Sequence, residues 1–248
     1  MTSLQTSLLL TAEQTPACIP ILRLKPSGSE ADMPTVLVLH GLGRSKEHML
    51  PTLYAFARAG YQAVAFDARL HGERDNAGER EARLASAYVP TLYDMIAGTA
   101  QDVPRVLDSL GVSEAGIHGV SLGGYIAFAA LVHEPRLAVA TVAMGSPDWL
   151  EGMRALGMGP GHPIYDQTAL GNPLGRAAST YPPRPLLMLH GDQDEVVSVQ
   201  GVRNLHEALL PAYQDAPDTL ELTIYPGLGH RYTDEMVEQS VAWTRRFL

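Results

Sequence analysis

The apolar positions of this 248-residue chain fall into short continuous runs separated by stretches of helical spacing. Residues 35–40 are apolar almost without interruption, as in a strand covered on both faces. Residues 61–67, 115–120, 137–144, 186–190 and 220–225 also read as strands. Between these runs, residues 47–60, 122–132, 199–210 and 233–248 read as helices, the first ending on Gly60. Residues 77–111 form a long polar helical region that Pro90 and Pro104 break into pieces. Two strands, 4–10 and 18–24, open the chain around a polar turn, and residues 26–29 form a loop. Residues 145–185 are rich in Gly, Pro and Met with little periodicity, and read as a loop plus a short helix. Strands that alternate with helices predict an α/β fold. The expected architecture is a mostly parallel sheet of about eight strands with helices on both faces. One domain is expected over 1–248, with 145–185 as a minor cap inserted after the sixth strand.

Composition narrows the partners. An apolar content of 46% supports a sizeable core, and the net charge of −9 argues against a nucleic-acid partner. The single cysteine, Cys18, excludes an internal disulfide framework. It lies in an apolar, strand-like stretch, so it is expected in the core. Leu8, Leu9 and Leu10 are not preceded by a basic stretch or followed by a small-residue cleavage site, and no run approaches a membrane span. The expectation is a cytoplasmic protein without a membrane partner. The oligomeric state is left open.

The densest chemical signal is Gly119-Val120-Ser121-Leu122-Gly123. An apolar run precedes it and an apolar helical segment follows, so Ser121 sits at the apex of a strand–turn–helix. Such a turn lifts a hydroxyl out of the backbone, where a base can take its proton. Flanking glycines allow the backbone approach that the turn demands. Asp192 and Asp194 follow the run that ends at His190, and His230 follows the run that ends at Tyr225. All of these fall just after strands, at the carboxyl edge of the sheet where sites on such folds lie. The chain order is Ser, Asp, His. In this arrangement His230 takes the Ser121 proton while the acid holds the imidazole tautomer. The N–H of Leu122, at a helix N-terminus, is placed to stabilise an oxyanion.

These motifs together resemble the α/β-hydrolase family, and the resemblance spans nearly the whole chain. His190-Gly191-x-x-Asp194-x-x-Val197 is similar to the family's acid loop, and Gly229-His230 to its histidine loop. His40-Gly41-Leu42-Gly43-Arg44-Ser45-Lys46-Glu47-His48 resembles the oxyanion loop of small esterases of the dienelactone-hydrolase-like and prolyl-oligopeptidase-like kind. Asp67-Ala68-Arg69-Leu70-His71-Gly72-Glu73-Arg74 resembles their loop after the fourth strand. The resemblance implies Asp194 as the acid, the Leu42 N–H as second oxyanion donor, and a serine esterase of small or short-acyl substrates. It implies no cofactor and no metal.

Other readings compete. Asp192 then orders its own loop, and Asp148 is a further candidate acid. His40 is expected to hydrogen-bond the oxyanion loop, His71 and His190 to tie loops together, and His118 to lie satisfied beneath the site. A metal site lacks a His-Glu-x-x-His or a cysteine cluster, and Gly41-x-Gly43 lacks the third glycine of a dinucleotide loop. Trp149, Met153, Leu156, Met158 and Tyr165 could wall a small substrate site. A small-peptide amidase and a non-catalytic ligand-binding homologue are the alternative functions.

Overall fold

A computed structural model describes residues 7–28 and 33–248. In chain order the elements are β1 (Leu8–Gln14), β2 (Pro20–Pro26), β3 (Thr35–Leu39), α1 (Leu50–Arg58), β4 (Gln62–Phe66), α2 (Glu79–Ser86), α3 (Tyr88–Ala100) and α4 (Val103–Leu110). Then follow β5 (Ala115–Val120), α5 (Leu122–Leu131), β6 (Leu137–Ala143), α6 (Trp149–Ala155), α7 (Pro163–Gly171), α8 (Leu174–Thr180), β7 (Leu186–Gly191), α9 (Gln200–Leu209), β8 (Leu220–Tyr225) and α10 (Asp234–Phe247). The eight strands form one sheet in the order β1-β2-β4-β3-β5-β6-β7-β8. β1 and β2 are antiparallel, and β3 to β8 run parallel.

Both faces of the sheet are covered, because its strands are apolar on alternate and intervening positions alike. Leu37 and Leu39 of β3 point into one core, with Ile126 and Phe128 of α5, Ile96 of α3 and Val202 of α9. Val36 and Val38 point into the other, with Leu53 and Phe56 of α1 and Met236 and Trp243 of α10. α5 is apolar all round and buried along nearly its whole length, as a helix trapped between the sheet and α3 must be. α10 buries Met236, Ser240, Trp243 and Thr244, one stripe of an otherwise polar helix.

The predicted strands are present within two residues of their expected ends, apart from the first. That strand was expected over 4–10 and runs over Leu8–Gln14, with positions 4–6 outside the described residues. The expected loop 26–29 likewise ends outside them, at Ser29. The polar region divides into α2, α3 and α4. Pro90 and Pro104 sit in the first turns of α3 and α4, where a missing N–H costs nothing.

Two expectations are corrected. Cys18 is exposed, not core. It stands at φ 57° in the β1–β2 turn, which Thr15 closes by accepting from Cys18 N at 2.8 Å and Ile19 N at 3.1 Å. The 145–185 segment holds three short helices rather than one. Asp148 caps α6 by accepting from Leu150 N, and Trp149 stacks on Tyr93 at 5.3 Å. The wall read from the sequence is only partly available. Trp149, Met153 and Tyr165 are buried, whereas Leu156 is 64% exposed. Among the described residues no helix is long and apolar enough to cross a membrane.

Candidate active site

The Ser121 turn begins with a backbone that only close packing can hold. Ser121 has φ 54° and ψ −115°, a conformation an L-residue rarely adopts. The glycines around it are obligatory. A Cβ on Gly119 would lie 2.2 Å from the Gly123 carbonyl oxygen, and one on Gly123 would lie 2.3 Å from the Leu39 oxygen. The start of α5 therefore meets β5 and β3 with no room for a side chain, and the hydroxyl stands at the edge of the sheet. The Ser121 N–H is held by the Ala143 carbonyl at 2.9 Å.

Three loops converge on this hydroxyl. His230 Nε2 is 3.0 Å from Ser121 Oγ, and His230 Nδ1 is 2.7 Å from Asp194 Oδ2. The Asp194 side chain is fully buried, and its other oxygen accepts from Val196 N at 2.9 Å and Val197 N at 2.8 Å. Because the carboxylate accepts at Nδ1, the imidazole carries its proton there and offers the Nε2 lone pair to Ser121. His230 keeps 22% of its side-chain surface exposed, so the site opens to solvent.

The residues after β3 lie over the serine. A Cβ on Gly41 would be 3.5 Å from Ser121 Cβ. Neither the Leu42 nor the Leu122 N–H has an acceptor among the described residues. Two histidines set this loop. His40 Nε2 accepts from Ala68 N at 3.0 Å, which leaves Nδ1–H to donate to the Gly41 carbonyl at 2.9 Å. His71 Nε2 accepts from Gly43 N at 3.1 Å, and its Nδ1–H donates to the Arg69 carbonyl. The peptide groups on either side of Leu42 are thus each gripped by one imidazole. Burial depresses both rings against protonation, His40 to about 4 and His71 downward, so both serve as neutral acceptors.

The remaining candidates have other work. Asp192 accepts from Gly227 N at 2.7 Å and so ties the acid loop to the histidine loop. Asp148 caps α6 and pairs with Arg154. His190 donates to the Val197 carbonyl at 2.9 Å, with the same nitrogen 3.3 Å from Asp194, and burial depresses it too. His118 is enclosed, and burial lowers it to about 3. Cavities of about 400 and 480 Å³ are present, but neither is lined by Ser121, Asp194 or His230. Among the described residues no group of three or more His, Cys, Asp or Glu is arranged to hold a metal.

Sequence reading assigned no role to the ion pair beneath the Gly41–Ser45 loop. Lys46 is 1% exposed, and its Nζ reaches Asp67 at 2.9 Å, Glu73 at 2.5 Å and Glu47 at 2.9 Å. Burial opposes the ammonium charge, but hydrogen bonds to Glu47, Glu73 and Asp67 outweigh it and hold the Lys46 pKa above its ordinary value. Asp67 also accepts from Lys46 N and Glu73 N, at 2.9 and 3.1 Å. The partners are 21 residues apart, and nothing local in the sequence joins them.

Residues 34–162 match the family described as the alpha/beta hydrolase fold. YitV of Bacillus subtilis is 26% identical over 256 residues, covering 95% of this chain and 98% of YitV. The Escherichia coli esterase YjfP is 27% identical over 252 residues, covering 94% of this chain and 96% of YjfP. The crystal structure of TT1662 from Thermus thermophilus superposes with a TM-score of 0.76 at 27% identity, over 96% of this chain and 98% of its own. The chain belongs to the α/β hydrolase family.

Proposed function

We propose that this hydrolase is a carboxylesterase-type serine enzyme that uses Ser121, Asp194 and His230. The observation that carries the reading is a single imidazole in hydrogen-bond reach of both a strained serine hydroxyl and a buried carboxylate. The esterase name of the relative YjfP supports the ester as substrate. In the first step Ser121 Oγ attacks the ester carbonyl carbon while its proton passes to His230 Nε2. The charge that gathers on the carbonyl oxygen is met by the N–H groups of Leu42 and Leu122. Asp194 stabilises the imidazolium. His230 then returns the proton to the departing alkoxide, which leaves as the alcohol, and an acyl-Ser121 ester remains. Water, losing its proton to His230, attacks the acyl carbon, and His230 returns that proton to the departing Ser121 Oγ as the acid is released. The 145–185 segment is read as a minor cap on one domain spanning 1–248. A partly exposed Ser121 beside a partly exposed His230 favours small or short-acyl esters.

Intact-protein mass after exposure to a fluorophosphonate tests the reading. One adduct is expected on the wild type and none on Ser121→Ala. A panel of p-nitrophenyl esters should then show acetate and butyrate turned over faster than laurate. A folded wild type that takes no adduct and hydrolyses no ester would overturn the proposal.

A further inference from the structure

Four uncharged side chains, three of them buried and Tyr232 partly so, form a chain under the site. Thr141 Oγ1 of β6 is 2.7 Å from His118 Nδ1 of β5. His118 Nε2 is 2.8 Å from the hydroxyl of Tyr232, which lies 3.3 Å from Thr52 Oγ1 of α1. Burial keeps His118 neutral and pushes the Tyr232 phenol up, so neither ring brings a charge into the core. His118 and Tyr232 bring their polar atoms into a region otherwise filled by Phe56 and its apolar neighbours.

The placement of this chain matters more than its length. His118 is three residues before Ser121 on the strand that delivers the serine, and Tyr232 is two residues after His230. The His118–Tyr232 bond and the His230–Ser121 bond therefore close one ring through the backbone: Ser121, Val120, Gly119, His118, Tyr232, Arg231, His230 and back to Ser121. On its other side the histidine loop is held from the acid loop. Gln193 N donates to the Leu228 carbonyl at 3.0 Å, and Asp192 accepts from Gly227 N. Beyond His230 the side-chain bonds are those of Tyr232, until Thr233 caps α10. We infer that Tyr232, through His118, is a positioning residue that holds His230 Nε2 in line with Ser121 Oγ. This rests on the esterase reading of the site.

The test is Tyr232→Phe, which keeps the ring and removes the hydroxyl. Without the tether the imidazole can drift from the hydroxyl, and misplacement on the order of 1 Å costs roughly 10²-fold in rate. The expected result is a kcat about tenfold to a hundredfold lower with KM within about twofold, because no substrate contact is lost. The rate of fluorophosphonate labelling should fall in proportion. Thr141→Val is the comparison. It deletes a buried hydrogen bond of the same chain but leaves the His118–Tyr232 bond in place. It should lower the melting temperature about as much as Tyr232→Phe while retaining at least half of the wild-type kcat. If Tyr232→Phe keeps wild-type kcat, or if both variants lose kcat to the same extent, the positioning role is wrong. Should Tyr232→Phe not fold, His118→Leu against Thr141→Val gives the same split, since Thr141→Val spares the 2.8 Å bond that His118→Leu removes. An inert wild type would instead sink the esterase reading, so the two failures are distinguishable.

Discussion

Asp194 and Asp192 stand two residues apart with unlike environments. Both oxygens of Asp194 are occupied, by two loop amides on one side and the His230 ring on the other. Asp192 holds one amide, that of Gly227, at the exposed rim. Changing Asp194 to Asn places an N–H₂ group or a weaker acceptor against Nδ1. The ring then turns over to the tautomer with its proton on Nε2, which cannot accept from Ser121. kcat on p-nitrophenyl acetate should fall by about 10³–10⁴ for Asp194→Asn. Asp192→Asn retains an acceptor for Gly227 N and should stay within about fivefold of wild type, a neutral hydrogen bond being worth about 1 kcal/mol. Equal losses in the two variants, measured side by side, would remove Asp194 from the acid role.

The loops after β3 and β4 act as one element, because Lys46, Asp67, His40 and His71 cross between them. Asp67 is fully buried, and without the ammonium it becomes an uncompensated carboxylate in the core. Lys46→Met should therefore destabilise the fold by about 3–5 kcal/mol, read from the urea midpoint. Adding Asp67→Leu should recover part of the loss, since a buried pair replaced by apolar groups is often near neutral. If the single variant unfolds where the wild type does, the pair does not bridge the loops. What the sequence could reveal follows the same division between local and distant. The strands were legible because runs such as 186–189 are continuous and bounded by turn residues such as Pro185 and Gly191. Ser121, Asp194 and His230 were legible because each follows a strand at close spacing. Lys46–Asp67 and His118–Tyr232 were not, as their partners lie 21 and 114 residues apart. Cys18 misled because an apolar stretch predicts burial, whereas a tight turn with positive φ takes precedence there. The helices α6 to α8 are 7–9 residues long, too short to show a repeat, and they stand on caps and on contacts such as Trp149 with Tyr93.

Across the whole molecule, four of the nine histidines are buried and held below their ordinary range: His40 at about 4, His118 at about 3, and His71 and His190 by direction. Desolvation is the leading cause in each. Their joint effect on stability has a definite sign. The unfolded chain takes up these protons near pH 6.5, and the folded chain resists until far lower pH. The stability they leave intact is fully present above about pH 6.5 and is lost progressively as pH falls toward about 4. Carboxylates with lowered pKa, such as Glu47 at about 2, weaken the fold only below their own unfolded value of 4.5. The window between about pH 4.5 and 6.5 therefore belongs to the histidines. Protonation also relieves the repulsion of a chain with net charge −9, which acts in the opposite direction but is screened at physiological salt. Each pKa unit is about 1.4 kcal/mol, and for a chain of this size each kcal/mol moves the melting point by about 2–4 °C. The melting temperature should drop on the order of 10 °C from pH 7 to pH 5 at fixed ionic strength. A flat profile over that range would mean these rings are not enclosed as neutral groups. Because His40 and His71 grip the peptides beside Leu42, acid that forces protons onto them releases the loop over Ser121 as it weakens the fold. Activity and melting temperature should therefore fall together as the pH is lowered, and a kcat lost while the melting temperature rises or holds would separate the loop from the fold.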